Sequence, residues 1–130
     1  MLVDTSAWIE FLRATGSSAN AAVRDALRDG RRLVICEPVQ MEVLAGARSE
    51  QHVAELRGLL ARCQLVRTVP SDWDDAARIY RTGRRQGVTI RKLVDCLIAA
   101  MAMRAGVPLL HADADFDAIA RVTELDAVRG

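Results

Sequence analysis

A chain of 130 residues, 51% hydrophobic and 27% charged with a net charge of +1, can bury one core and is too short for two, so residues 1–130 are read as a single domain. The balance excludes a disordered or collagen-like chain, and the longest uncharged apolar run, Cys96 to Met103, is far below the roughly 20 residues of a membrane span. Met1-Leu2-Val3-Asp4 lacks the basic and apolar regions of a secretory signal, so the cytoplasm is the expected location and no membrane partner is expected. Cys36, Cys63 and Cys96 are widely spaced among apolar neighbours with no Cys-x-x-Cys pair, and they read as buried free thiols.

In chain order, Leu2-Val3 predicts a short buried strand, after which Asp4, Thr5 and Ser6 can cap a helix carrying Trp8, Ile9, Phe11 and Leu12. Ala19, Ala22, Val23, Ala26 and Leu27 recur at helical spacing, and Gly30 supplies a left-handed stop. Leu33 to Cys36 has strand length; Pro38 then fits the first turn of a helix through Ala45. Val53, Leu56, Leu60 and Cys63 mark the next helix, and Leu65 to Val69 a strand ended by Pro70. A helix begins at Ser71, and the most strongly helical segment, Thr89 to Ala105, ends at Gly106 with Pro108 close behind. Val107 to Leu110 reads as a fourth strand, followed by a brief helical turn at Phe116 and Ile119 and an edge strand at Leu125 to Val128. Strands separated by helices predict an α/β fold with a mainly parallel central sheet of four to five strands flanked by helices.

Open parallel sheets bind ligands beyond the carboxyl ends of their strands, where Asp4 and Asp113 fall. Asp95 interrupts an otherwise apolar helix, and an unpaired aspartate there is expensive. Its charge is met either by the helix N-terminus and Arg91 one turn back or by a cation at the strand ends. Asp4 alone reads as a helix cap, Glu42 alone as a helical glutamate, and Asp113, Asp115 and Asp117 as turn residues; their joint placement suggests one crevice. Several carboxylates there require a counter-charge, and Mg²⁺ or Mn²⁺ favours oxygen ligands and binds phosphate. Such a site suits phosphodiester hydrolysis. From Arg78 to Lys92 the chain has six cations and no acid, of which Arg84, Arg85, Arg91 and Lys92 are candidates for backbone phosphates.

The runs Asp4-Thr5-Ser6-Ala7-Trp8-Ile9, Pro38-x-x-x-Glu42-Val43-Leu44-Ala45-Gly46, Asp95-Cys96-Leu97-Ile98-Ala99-Ala100 and Leu110-His111-Ala112-Asp113-Ala114-Asp115-Phe116 together resemble the four motifs of VapC-type PIN domains, across nearly the whole chain. The resemblance implies a PIN-like fold and a catalytic quartet of Asp4, Glu42, Asp95 and Asp113. Asp4, Asp95, Asp113 and Asp115 would hold the metal, with Thr5 and Ser6 among the substrate-binding residues. It further implies a toxin cutting RNA, such as a structured tRNA, an antitoxin partner of the VapB type, and a homodimer. The antitoxin is expected on an apolar groove involving Trp8, Ile9, Phe11 and Leu12. Many relatives place Thr-Arg or Ser-Arg before the last aspartate; here His111-Ala112 stands instead, and a lone histidine at a strand end is more often structural than catalytic. The rival readings are a Mg²⁺-binding phosphoacceptor signalling domain and an inactive RNA-binding PIN module. The former would want an acidic pair after the first strand and a lysine after a late one; the intact quartet argues against the latter.

Overall fold

The computed structural model describes residues 1–130 as five strands and seven helices. The order is β1 (Leu2–Val3), α1 (Thr5–Leu12), α2 (Ser18–Arg28), β2 (Val34–Cys36), α3 (Glu37–Ala45), α4 (Glu50–Leu60), β3 (Gln64–Val66), α5 (Pro70–Arg85), α6 (Leu93–Ala105), β4 (Leu109–His111), α7 (Ala114–Val122) and β5 (Ala127–Arg129). The strands form one sheet in the order β3-β2-β1-β4-β5, and every neighbouring pair is parallel. Because every strand runs the same way, all carboxyl ends open on one edge of the sheet.

The central strands are short but wholly buried, as their apolar runs require when helices cover both faces. Edge strand β3 exposes Gln64 and Leu65. The densest part of the core is α6, where the eight residues from Asp95 to Ala102 are all buried. Each Ile or Leu fully removed from water contributes about 1.5–3 kcal/mol, and Ile98, Leu109 and Ile119 are of this kind. No helix is long and apolar enough to cross a membrane.

The expected parallel α/β architecture is present, with five strands. Two local differences have physical causes. Helix α6 starts at Leu93 and not at Thr89, because the backbone N–H groups of Arg91 and Lys92 are bound by the Asp115 carboxylate, which holds that segment outside the helix. The expected turn at Phe116 is a helix of nine residues, N-capped by the Asp113 side chain. Gly106 takes the left-handed conformation (φ 68°) that ends α6, as its place before Pro108 suggested. Cys36 and Cys96 are buried free thiols, whereas Cys63 is half-buried.

An ion pair between a buried aspartate and a partly exposed arginine was not announced by the sequence. Asp72, in the first turn of α5, is fully buried and accepts from Arg104 Nε (2.8 Å), Arg104 Nη2 (2.9 Å) and the Val69 N–H (2.9 Å). Arg104 also donates to the Arg67 carbonyl at 2.7 Å, tying α6 to the end of β3. Its signal was faint: a lone cation among the apolar residues of a buried helix.

Candidate active site

Five carboxylates gather at the carboxyl ends of β1, β2 and β4. Asp4 directly follows β1 and caps α1, Glu42 lies on the helix after β2, Asp95 is in the first turn of α6, Asp113 caps α7 and Asp115 is in its first turn. One oxygen from each of Asp95, Asp113 and Asp115 lies within 4.8 Å of the others. Asp4 is outside that trio but borders it, since its charge acts on Asp95 and Lys92. Glu42 joins from the opposite side, with its charge acting on Asp4.

Local hydrogen bonds aim these groups. Asp4 Oδ2 accepts from the Ser6 N–H (2.9 Å) and from Ser6 Oγ (2.6 Å), while Ser6 Oγ accepts from the Ala112 N–H (2.9 Å). One hydroxyl therefore joins the loops after β1 and β4. Thr5 Oγ1 donates to Glu42 Oε1 at 2.8 Å, fixing α3 against α1. Asp113 Oδ1 accepts from the Asp115 N–H (2.9 Å) and from Arg91 Nη2 (3.2 Å). Asp115 Oδ1 accepts from the Arg91 N–H (3.1 Å) and Nε (3.2 Å), and Oδ2 from the Lys92 N–H (2.9 Å). Thr5 and Ser6, expected at the substrate, thus have their hydroxyls engaged by the carboxylates.

Two buried oxygens, Asp4 Oδ1 and Asp95 Oδ2, have no hydrogen-bond partner. Burial raises the Asp4 pKa against the opposing bonds from Ser6, and Glu42 adds repulsion. For Asp95, burial, a proton shared with Asp115 and the charge of Asp4 push the pKa up to about 8, against the pull of Lys92. Asp113 and Asp115 go the other way: burial opposes it, but the N–H groups and cations around them hold both below the usual carboxylate value. Orphaned, buried carboxylate oxygens facing further acids are what a hard divalent cation satisfies, and the all-oxygen donor set fits Mg²⁺ or Mn²⁺.

The cations divide into two groups. Lys92 Nζ stands 3.0 Å from Asp113 Oδ2 and 3.9 Å from Asp95 Oδ2, and Arg91 grips Asp113 and Asp115. The basic stretch therefore delivers its own counter-charge to the acids, and Lys92, not Arg91, is the cation nearest Asp95. Arg84 and Arg85 sit in the last turn of α5, where Arg84 lies over the Tyr80 ring (5.9 Å to its centroid) and Arg85 donates to Thr82 Oγ1 (3.3 Å). Neither bonds to the acid group. Asp117 also points elsewhere, pairing with Arg129 at 2.6 Å.

His111 is fully buried beside Phe116; its Nδ1 accepts from the Asp113 N–H (3.2 Å) and its Nε2 lies 3.6 Å from Asp117 Oδ1. Burial lowers its pKa against the Asp117 charge, favouring the neutral ring. It shapes the turn that carries Asp113, in keeping with the structural role expected of it.

Comparison with known proteins agrees with this geometry. Residues 1–122 match the family model described as PIN domain. Ribonuclease VapC11 of Mycobacterium tuberculosis is 46% identical, the alignment covering 98% of this chain and 96% of that protein. VapC ribonuclease Mb1587 of Mycobacterium bovis is equally similar over the same shares. Among solved structures, VapBC2 from Rickettsia felis, bound to a promoter DNA fragment, superposes with a TM-score of 0.78 at 16% identity, over 99% of this chain and 97% of that one. VapBC-1 from nontypeable Haemophilus influenzae gives 0.75 at 20% identity, over 98% and 96%. The structural likeness supports the fold, the sequence likeness the kinship: this chain belongs to the VapC ribonuclease family of PIN-domain proteins.

Proposed function

We propose that this chain is a toxin ribonuclease that hydrolyses phosphodiester bonds of a structured RNA, such as a tRNA, with a divalent cation, Mg²⁺ or Mn²⁺, held by Asp4, Asp95, Asp113 and Asp115. The observation that carries the reading is the pair of buried, partnerless oxygens, Asp4 Oδ1 and Asp95 Oδ2, beside the Asp113 and Asp115 carboxylates. When bound, the cation lowers the pKa of a water and offsets charge on the reacting phosphate.

The chain's own groups do the rest. Ser6 keeps Asp4 Oδ2 occupied and leaves the buried Oδ1 without a partner, available to a cation. Thr5 holds Glu42 at the rim, where its carboxylate can accept a proton from water. Arg91 and Lys92 orient Asp113 while leaving donors for a phosphate oxygen, and Arg84 and Arg85 extend the basic track along α5. The phosphoacceptor reading loses its basis with the family assignment, and the intact set of acids speaks against an inactive RNA-binding module.

A groove of about 360 Å³ beside the acids is lined by Ile9, Leu12, Val43 and Leu56 together with Glu42 and the basic side chains Arg13, Arg48 and His52. We assign it to a VapB-type antitoxin. Ile9 and Leu12 are the exposed members of the first-helix set; Trp8 is fully buried in the core and belongs to packing instead. A more apolar groove, between α3, α5 and α6, exposes Met41, Trp73 and Leu93 and suits the second copy of a homodimer.

The test is product chemistry. With water as nucleophile, RNA fragments carry a 5′-phosphate and a free 3′-hydroxyl, a 2′-deoxy substitution at the scissile nucleotide still permits cutting, and EDTA stops the reaction until Mg²⁺ or Mn²⁺ is restored. A 2′,3′-cyclic phosphate or chelator-resistant cleavage would overturn the proposal.

A further inference from the structure

We propose that Lys92 is a built-in second cation: its ammonium fills one of two positive positions in the acid ring, so that the site takes a single divalent ion. The inference rests on the metal-dependent reading above. In-line hydrolysis at phosphorus is served well by two positive centres, one near the attacking and one near the leaving oxygen, which many nucleases supply as paired metal ions.

Three observations point to Lys92 for one of these positions. Its Nζ lies between two of the acids, 3.0 Å from Asp113 Oδ2 and 3.9 Å from Asp95 Oδ2. Asp4 Oδ1 has no partner, and Asp95 Oδ2 meets Lys92 only beyond hydrogen-bond distance, so these two oxygens remain for a divalent ion. The backbone is held so that this reach is built in. Asp115 binds the N–H groups of both Arg91 and Lys92, stopping α6 from starting earlier and leaving Lys92 as its N-cap residue, three positions before Asp95.

Residue choice adds a fourth, independent reason. Lys92 is the only lysine in the chain, every other basic side chain that is not histidine being arginine. An ammonium is a compact, rotatable point charge that can stand where a metal ion would, whereas a guanidinium is a planar fork. Arg91, one residue earlier, shows the contrast by using its fork on the outer oxygens of Asp113 and Asp115. The Lys92 side chain is 54% exposed, which leaves it free to turn toward a phosphate when RNA arrives.

The experiment is a Mn²⁺ titration of the EDTA-stripped full chain, with bound and free Mn²⁺ read by electron paramagnetic resonance, for wild type, Lys92→Met and Lys92→Gln. Circular dichroism in EDTA checks that the variants fold. The expected result is one Mn²⁺ per chain for wild type and two for both variants, the bound pair giving a spin-coupled spectrum. RNA cleavage by the variants should fall about 100-fold at limiting Mg²⁺, the scale of losing one charge-stabilising group, and recover as Mg²⁺ is raised and a second ion enters. Two ions per wild-type chain, or one in wild type and variants alike, would overturn the role of Lys92 and leave the metal reading intact. RNA cleavage by a wild-type chain that binds no Mn²⁺ overturns both.

Discussion

Asp72 and Asp95 occupy equivalent places: each is buried, and each lies in the first turn of a helix. Their surroundings are opposite. Asp72 has both oxygens engaged, by the Arg104 fork and the Val69 N–H; burial would raise its pKa, but those bonds hold it below the usual carboxylate value. Asp95 has an oxygen with no partner, acids around it, and a pKa pushed up to about 8. The difference teaches that burial alone does not set the two aspartates apart; what does is that Asp72 is fully hydrogen-bonded while Asp95 keeps an oxygen without a hydrogen-bond partner and meets its one cation, Lys92, only at 3.9 Å. One aspartate spends its charge on holding α5 to α6 and β3, and the other keeps it available.

The sharpest way to break the comparison is Asp95→Asn, which keeps shape and removes charge. RNA cleavage should fall by about 10³-fold or more, the upper range for losing one charge-stabilising group. Metal-free stability should move the other way. A carboxyl whose folded pKa is raised from 3.8 to about 8 gives its full contribution below about pH 4 and loses it as the pH climbs toward 8. Thermal melts of the EDTA-treated protein should therefore show Asp95→Asn gaining on wild type between pH 5 and 8, and added Mg²⁺ should raise the wild-type Tm alone. A variant that cuts RNA normally would remove Asp95 from the site.

At Asp72 the expected effects exchange places. Asp72→Asn leaves the Arg104 guanidinium, which is a third exposed, without its buried counter-charge and should cost about 1–3 kcal/mol. Denaturant unfolding measures that loss, while cleavage per folded molecule and Mn²⁺ binding should stay close to wild type. The sign of its pH dependence is also reversed. A depressed pKa gives stability that is present above about pH 4 and lost as the pH falls through the folded value.

The mildest test lies between these extremes. Ser6→Ala removes the hydroxyl that donates to Asp4 and accepts from Ala112, yet it keeps the Ser6 N–H bond. Stability should drop by about 1 kcal/mol and kcat by about tenfold, with KM little changed, because Asp4 is less well aimed rather than lost. A change in KM alone would make Ser6 a substrate contact and not a positioning residue.

Much of this was legible in the sequence. Leu2-Val3, Leu33 to Cys36 and Val107 to Leu110 are apolar runs of strand length followed by polar residues, so the parallel sheet and the edge where the acids gather could be read directly. Asp95 was legible because it breaks an apolar helix. What stayed hidden depends on partners distant along the chain. The Asp72–Arg104 pair spans 32 residues, and the Asp115 clamp on Arg91 and Lys92 spans 24 and 23. Periodicity reports only on neighbours one or two turns away, so it placed the start of α6 too early and could offer Asp95 as a partner of Arg91 but not Asp113 and Asp115, which Arg91 and Lys92 hold.

The bond from the Ala112 N–H to Ser6 Oγ joins positions 106 residues apart, and β1 at the start of the chain pairs in the middle of the sheet with β4 near its end. Synthesis from the N-terminus therefore makes Asp4 first and its companions Asp113 and Asp115 almost last. A nascent chain therefore cannot bring Asp4 together with Asp113 and Asp115 until those two residues have been made. A message cut short before residue 113 encodes a fragment with no complete site.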